Sequence, residues 1–307
     1  MKIGIIGAGN IAEEHLKVIS SIKSISVSSI YSRTKKKSDI LAKKYKIENV
    51  HSTLEKFIDN CSCDGIYILV SASQIYNITK KLIPINIPLF IEKPAGLIPS
   101  QTLELLKLSN KYKTLNMVGY NRRFYSIYED CIKLIKNPKE ISNIVVEGHE
   151  RIWKIPKKTN NSVKQNWIYA NSTHTIDLLR FFGGDIKKVT NMSKKNNNYL
   201  SIINFKNGII GEYFSNWNTP SGWSVKIYSK NFYINFSPLE KGYYIDKQFN
   251  KKFFKEKKYD KKYKPGFYMQ TISFISLIKN KINKWPSVNL NDVYKTMKLA
   301  EKIKNNY

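Results

Sequence analysis

"MKIGIIGAGNIA", residues 1 to 12, decides the reading of the first half of this chain. A short apolar run, the pattern of a buried strand, enters a turn with glycine at positions 7 and 9. An amphipathic helical stretch follows to about Ser20. In such a GxGxxA loop the first glycine permits the tight turn and the second lets an anion approach the backbone. The alanine, Ala12, allows helix to pack on strand, with the anion at the positive helix end. The spacing points to a dinucleotide held by Gly7, Gly9, Asn10 and Ile11; a plain structural turn is the alternative.

Working outward, "ISVSSIYS" alternates as a strand and "KKKSDILAKKY" reads as a helix. "DGIYILVSAS" is a near-continuous apolar strand, and "PLFIEKP" and "TLNMVGY" are two more, with helices between them. Strands alternating with helices predict an α/β class, doubly wound, Rossmann-type parallel sheet over residues 1–120. From 121 to 307 the pattern changes. A helix at "IYEDCIKLIKN" precedes the strand "ISNIVVEGHE", an irregular polar loop and an amphipathic helix at "HTIDLLRFFGG". Strand-like runs then follow from Val189 to about Phe254, and two helices close the chain. The expectation is a second, α+β domain with a mainly antiparallel sheet, and no internal repeat is present.

The acid that binds the ribose 2'-hydroxyl of NAD stands about 20 residues beyond such a loop. Here that place reads "SIYSRTKKK", with Ser32 and Arg33, and no Asp or Glu occurs between Glu14 and Asp39. A hydroxyl and a guanidinium suit a 2'-phosphate, so NADP is expected over NAD. Arg33 as a loop residue stacking on adenine in either cofactor is the alternative.

The formal charge of +29 invites a nucleic-acid reading. Yet of 52 basic residues five are arginines, and the lysines are spread along the chain, as a coding bias toward lysine would leave them. Neither nucleic acid nor membrane is expected as a partner. "KKFFKEKKYDKKYK", residues 251 to 264, reads as a solvated hairpin or loop; a surface for an acidic partner or anionic substrate is the alternative. No apolar run reaches the length of a membrane-spanning helix and no signal peptide precedes the first strand, so a cytoplasmic location is expected. Cys61, Cys63 and Cys131 are expected to be reduced and structural, and no metal-ligating set is found.

Taken in order, "GAGNIA", "FIEKPAG", "GYNRRF" and "HTIDLLRFFGG" give the whole chain a pattern that resembles the Gfo/Idh/MocA oxidoreductases, named for glucose–fructose oxidoreductase, inositol dehydrogenase and rhizopine catabolism. The resemblance implies a large open sheet in the second domain. It also implies nicotinamide-dependent hydride transfer at a hydroxyl or keto carbon of a sugar, nucleotide sugar or cyclitol. It assigns Lys93, flanked by Glu92, to the nicotinamide and the substrate hydroxyl; a cation there eases loss of hydride from an alcohol. Asn121 and Arg122 then contact cofactor or substrate, with Arg123 pairing across the interface, and Ser71 lies at the dinucleotide.

His174 matches the family's helix-start proton acceptor or donor, a role that an imidazole titrating near neutrality can fill in either direction. The aspartate usual four residues earlier is replaced by Ala170. Tyr169, Asn171 or Thr173 could instead hydrogen-bond the histidine, with Tyr169 and Asn171 also toward substrate, and Asp177 could orient the ring. The family's proline and histidine are replaced by Ala72 and Tyr76. A histidine that merely caps a buried helix, in a redox-silent dinucleotide-binding relative with a regulatory or scaffold role, is the alternative. Large apolar groups on both alternating faces of "GIIGEYFSNW" and "NFYINFSPL" ask for a cover over the second sheet face, and the resemblance implies a homodimer, or a tetramer of such dimers, paired through it.

Overall fold

The protein is described by a computed structural model covering residues 1–195 and 197–305. It divides into two compact units: Met1–Asn121 with Lys262–Tyr294, and Arg122–Lys261 with the chain from Lys295 on.

The first unit is built on β1 (Lys2–Ile6), β2 (Ser26–Tyr31), β3 (Asn49–His51), β4 (Gly65–Ile68), β5 (Leu89–Ile91) and β6 (Asn116–Val118). All are parallel, in the order β3-β2-β1-β4-β5-β6. Helices α1 (Asn10–Ile19), α2 (Lys35–Tyr45), α3 (Leu54–Asn60), α4 (Ala72–Leu82) and α5 (Pro99–Tyr112) connect them. Ile5, Ile6, Ile30, Ile68 and the whole of β5 are wholly buried, as sheet strands covered on both faces must be. The order reverses between β1 and β4, and there the crevice of a doubly wound sheet opens at the strands' carboxyl ends.

Residues 262–294 were expected in the second domain, and they cluster with the first. Helix α10 (Phe267–Asn280) explains this. Its Phe267 lies 4.4 Å from the His15 ring, and Phe274 packs edge-on to Tyr67 and Phe90. Gly65 makes the fit possible: a Cβ there would fall 2.6 Å from Ile278. Val118 also donates to the Val288 carbonyl at 2.8 Å.

A second difference concerns the cysteines. The chain leaves α3 extended at Cys61, and Cys61 and Cys63 are joined as a disulfide with Cα atoms 5.4 Å apart, where reduced thiols were expected. Cys131 is free and buried, and burial pushes its thiol well above the ordinary range.

The second unit carries an eight-stranded sheet, and its β7 (Ile141–Gly148) lies at the centre. The others are β8 (Ile186–Lys195), β9 (Asn198–Phe205), β10 (Ile210–Asn216), β11 (Trp223–Ser229), β12 (Phe232–Phe236), β13 (Gly242–Asp246) and β14 (Lys251–Phe253). The order is β14-β13-β12-β11-β7-β10-β9-β8, antiparallel except for β7 with β10. Helices α6 (Ser126–Leu134), α7 (Asn161–Gln165), α8 (Thr173–Gly183) and α9 (Lys258–Lys262) complete it, together with the part of α11 (Leu290–Lys304) from Lys295. Tyr213, Ile203, Val146, Ile227 and Ile234 form the buried face. The alternate positions of β10 and β11 expose Ile210, Phe214 and Tyr228.

The basic segment 251–264 is structured in part. It supplies β14 and α9, and the buried Asp260 accepts from the Ser126 amide at 2.7 Å at the start of α6. Among the described residues no helix is long and apolar enough to cross a membrane, and no group of three His, Cys, Asp or Glu side chains could hold a metal ion.

Candidate active site

The first unit places its polar residues where the strands end. Gly7, at φ +116°, donates to the Tyr31 carbonyl, and a Cβ on it would lie 2.3 Å from the Leu69 carbonyl oxygen. Only glycine lets the β1 and β4 ends close up in this way. Two residues on, a Cβ at Gly9 would meet nothing within 4 Å. The backbone is therefore open immediately before the first amides of α1, where unsatisfied N–H groups favour an anion.

Gly7 and Gly9 edge a cleft of about 290 Å³ that also takes in Ser32, Arg33, Ser71 and Lys37. These features fit a dinucleotide: a tight turn, an open glycine before a helix start, and two cations with hydroxyls beyond β2. Asn10 and Ile11 form the first turn of α1. Lys37, which the sequence pattern does not single out, comes to the cleft from the first turn of α2.

Glu92 and Lys93 directly follow β5, and the Lys93–Pro94 peptide after them is cis. The Glu92 carboxylate lies 3.8 Å from His15 Nε2, and it sits so close over Gly119 that a Cβ there would fall 2.5 Å from Oε2. It thus acts on the protein's own interior. Burial holds His15 below the ordinary imidazole range, against the opposing pull of Glu92. Asn121 uses its side-chain amide on the Pro265 carbonyl, 3.0 Å away, within the returning segment.

The second unit contains a cavity of about 360 Å³ at the end of β7, with His149, Glu150, Arg151, Lys154, Trp167 and Trp223 in its wall. His149 Nδ1 accepts from the Asn216 amide at 3.1 Å, which leaves the proton of the neutral ring on Nε2. Desolvation lowers its pKa. Trp223 donates to the His149 carbonyl at 2.8 Å. The Arg122 guanidinium lies 4.5 Å from the Trp223 ring centroid, and the His174 ring 6.1 Å from it. Arg122 thus packs on a tryptophan of this wall, and His174, nearly buried, lies beside the same tryptophan.

Its lead-in, Ile168–Ser172, is a π-helical turn, a wide winding often found at functional sites. Asn171 gives its amide to both Glu150 oxygens, at 3.1 and 2.9 Å. Tyr169 is nearly buried with Lys304 5.3 Å from its ring centroid, and desolvation raises its phenol to about 12. Thr173 Oγ1 donates to the Tyr169 carbonyl. Asp177 does not orient the histidine. It accepts from Arg123 Nε and Nη2, at 2.6 and 2.9 Å, and from Thr296 at 3.0 Å in a buried pair. Arg123 thus pairs within its own unit, and the spacing of Asp177 from His174 is a by-product of the helix.

Among known proteins, the amino-terminal part of the chain is similar to one oxidoreductase family. Residues 1–120 match the profile of the Gfo/Idh/MocA oxidoreductases, described as an oxidoreductase family with an NAD-binding Rossmann fold. The uncharacterized oxidoreductase YrbE of Bacillus subtilis is 26% identical over 188 residues, 59% of this chain and 53% of that protein. The chain spans about half the length of the curated relatives it matches.

Solved structures extend the likeness of fold to the whole chain. The dehydrogenase MviM of Clostridium difficile has a TM-score of 0.82 at 23% identity and covers 100% of this chain and 99% of that one. The UDP-N-acetylglucosamine 3-dehydrogenase GnnA of Acidithiobacillus ferrooxidans has a TM-score of 0.80 at 12% identity, covering 99% and 96%. Residues 1–120 thus match the Gfo/Idh/MocA oxidoreductase profile, and the whole chain shares its fold with solved dehydrogenases. Against that pattern its peculiarity is local: Ala170 carries no carboxylate, and the buried acid at the His174 turn is Glu150, brought in from β7.

Proposed function

We propose that this protein is an NADP-preferring oxidoreductase that transfers hydride between the nicotinamide and a hydroxyl or keto carbon of a sugar, nucleotide sugar or cyclitol. The observation that carries the reading is the cleft edged by Gly7 and Gly9, with Ser32, Arg33 and Lys37 in one wall and no acid among its lining residues. Two cations and a hydroxyl suit a 2'-phosphate, where an aspartate would have suited the ribose diol. The 360 Å³ cavity supports a polyhydroxylated substrate: tryptophan rings offer apolar faces, and the imidazole, carboxylate and guanidinium groups offer donors and acceptors for hydroxyls. Among proteins of this fold, one is named a UDP-N-acetylglucosamine 3-dehydrogenase.

Bound dinucleotide supplies the hydride acceptor or donor. His174 takes the hydroxyl proton as the alcohol becomes a carbonyl and returns it in reverse. Lys93, at the carboxyl end of β5, is the cation that the resemblance assigns to the nicotinamide. The test is turnover of a sugar panel, followed by nicotinamide absorbance. Lys93→Ala and His174→Ala should each lower it by about two to four orders of magnitude, the range of a positioned acid or base, while His174→Ala still binds dinucleotide. Unchanged turnover in His174→Ala would favour the redox-silent reading.

The proposal extends to assembly. Ile210 and Phe214 are 44% and 37% exposed on alternate positions of one strand, and Tyr228 is 41% exposed on β11. A second copy covering this face in a two-fold dimer, or a tetramer of dimers, removes that surface from water. Light scattering behind size exclusion checks it, and a mass near 35.7 kDa at micromolar concentration contradicts it.

A further inference from the structure

The turn that delivers His174 is an unusual piece of backbone to rest a proton-transfer residue on. A π-helical winding has poorer internal hydrogen bonding than an α-helix and persists where something outside it holds it. Here one buried side chain from outside the turn accepts from several of its donors. Glu150 is 4% exposed. Its carboxylate accepts from Trp167 Nε1 at 2.9 Å, from the Asn171 amide at 3.1 and 2.9 Å, and from Ser172 Oγ at 2.8 Å. All three donors lie in the six residues that lead into α8, and the last of them is two residues from His174.

The brace is itself anchored. The Glu150 amide donates to the Asn216 carbonyl at 3.1 Å, tying it to the end of β10, and the residue before it is fixed by the bond from the Asn216 amide. A neutral acceptor could not do the same job. A glutamine of the same shape keeps one oxygen and turns an NH2 toward the N–H and O–H donors that now converge on two oxygens. Bonds to an ionised acceptor are also about twice as strong as those to a neutral one.

We infer that Glu150 is the positioning residue of this active site. It locks the 167–172 turn so that the His174 ring is presented to the substrate, a carboxylate function that enters from the end of β7 because position 170 is alanine. The inference rests on the reading of His174 given above, and its test is arranged so that the two fail separately.

Glu150→Gln should lower kcat about 10- to 100-fold, with KM for the sugar and affinity for NADPH each within about threefold of the parent. Amide hydrogen exchange over residues 166–174, measured on the protein without sugar, should quicken at least about tenfold. Ser172→Ala removes one of the four bonds at a site away from the cavity wall. It should move both readouts in the same direction by about three- to tenfold, and it serves if the glutamine variant does not fold.

Exchange at the parental rate in either folded variant overturns the inference, whatever the sugar panel shows. So does quickened exchange with kcat unchanged, which would make Glu150 a purely structural brace. A rise in KM with kcat retained overturns it as well, because Glu150 would then be a substrate contact. If the parent turns over no sugar in the panel while exchange quickens as expected, the sugar reading falls and the brace stands.

Discussion

Gly7 and Gly9 belong to one loop, yet the structure gives them opposite jobs, and alanine at each separates folding from binding. At Gly7 an added methyl would sit 2.3 Å from the Leu69 oxygen and 2.6 Å from its carbonyl carbon, both backbone, at φ +116°. The left-handed conformation costs about 1–2 kcal/mol for a residue with a Cβ. Forcing the β4 end aside adds about 1–3 kcal/mol, by the measure of overpacked cores. Gly7→Ala should therefore lose about 2–5 kcal/mol of stability, a melting-temperature drop of about 4–20 °C for a domain of this size.

At Gly9 the backbone is extended, φ −91° and ψ −178°, with nothing within 4 Å of the methyl. Alanine fits there and gains about 0.4–1 kcal/mol through the unfolded chain. That methyl occupies the space through which a pyrophosphate reaches the α1 amides, so charge-assisted bonds worth about 1.5–3 kcal/mol are weakened or lost. Gly9→Ala should melt at or slightly above the parent while binding NADPH about 10- to 100-fold more weakly. Differential scanning fluorimetry and a fluorescence titration of NADPH measure the two quantities. If Gly9→Ala binds NADPH within about threefold of the parent, the open space before α1 is not the phosphate site and the reasoning fails.

Three further expectations follow from the same geometry. Arg33→Ala and Lys37→Ala should each weaken NADPH by about 10- to 100-fold and leave NADH nearly unchanged; tighter NADH binding in the parent, indifferent to both changes, would remove the NADP preference. Asp177→Asn strands the buried Arg123 guanidinium and should cost about 3–5 kcal/mol in urea unfolding, whereas a loss under about 1 kcal/mol would show that the pair is not holding α8. His15 is held below its ordinary range mainly by burial, so the unfolded chain takes up a proton that the folded one refuses. Stability is unaffected above pH about 6.5 and falls below it, by up to about 1.4 kcal/mol per pH unit. His51 and His149 are shifted the same way, so the His15 share is the part of the acid slope that His15→Phe removes, measured by unfolding between pH about 5 and 7.5.

Much of the first unit was legible because its signals are local and specific to backbone. A strand running into GAGNIA leaves few options, and both-face burial reads directly as continuous apolar runs. The short β3 and α3 gave no comparable pattern. The return of residues 262–294 was hidden for a different reason: the apolar face of α10 says that the helix is buried, and nothing in its own period says against what. The deciding feature is Gly65, some 200 residues away, whose missing side chain makes room for Ile278.

The same limit governs the site. The spacing of His174 and Asp177 suggested a partnership, since residues three apart share a helix face. A buried carboxylate is claimed by the strongest donor within reach, and Arg123 reaches Asp177 with two parallel bonds. Conversely, the missing acid at 170 reads as a loss of chemistry because no residue next to the histidine in the chain supplies a carboxylate in its place. The carboxylate arrives from 24 positions before His174, at the end of a strand whose tail, "GHE", gave only a polar terminus to an apolar run. Side-chain hydrogen bonds are satisfied through space, so a departure from a family's motif becomes evidence of lost function only after the buried carboxylates around it have been traced to their donors. Here that tracing leads to Glu150, which accepts from Trp167, Asn171 and Ser172 just before α8.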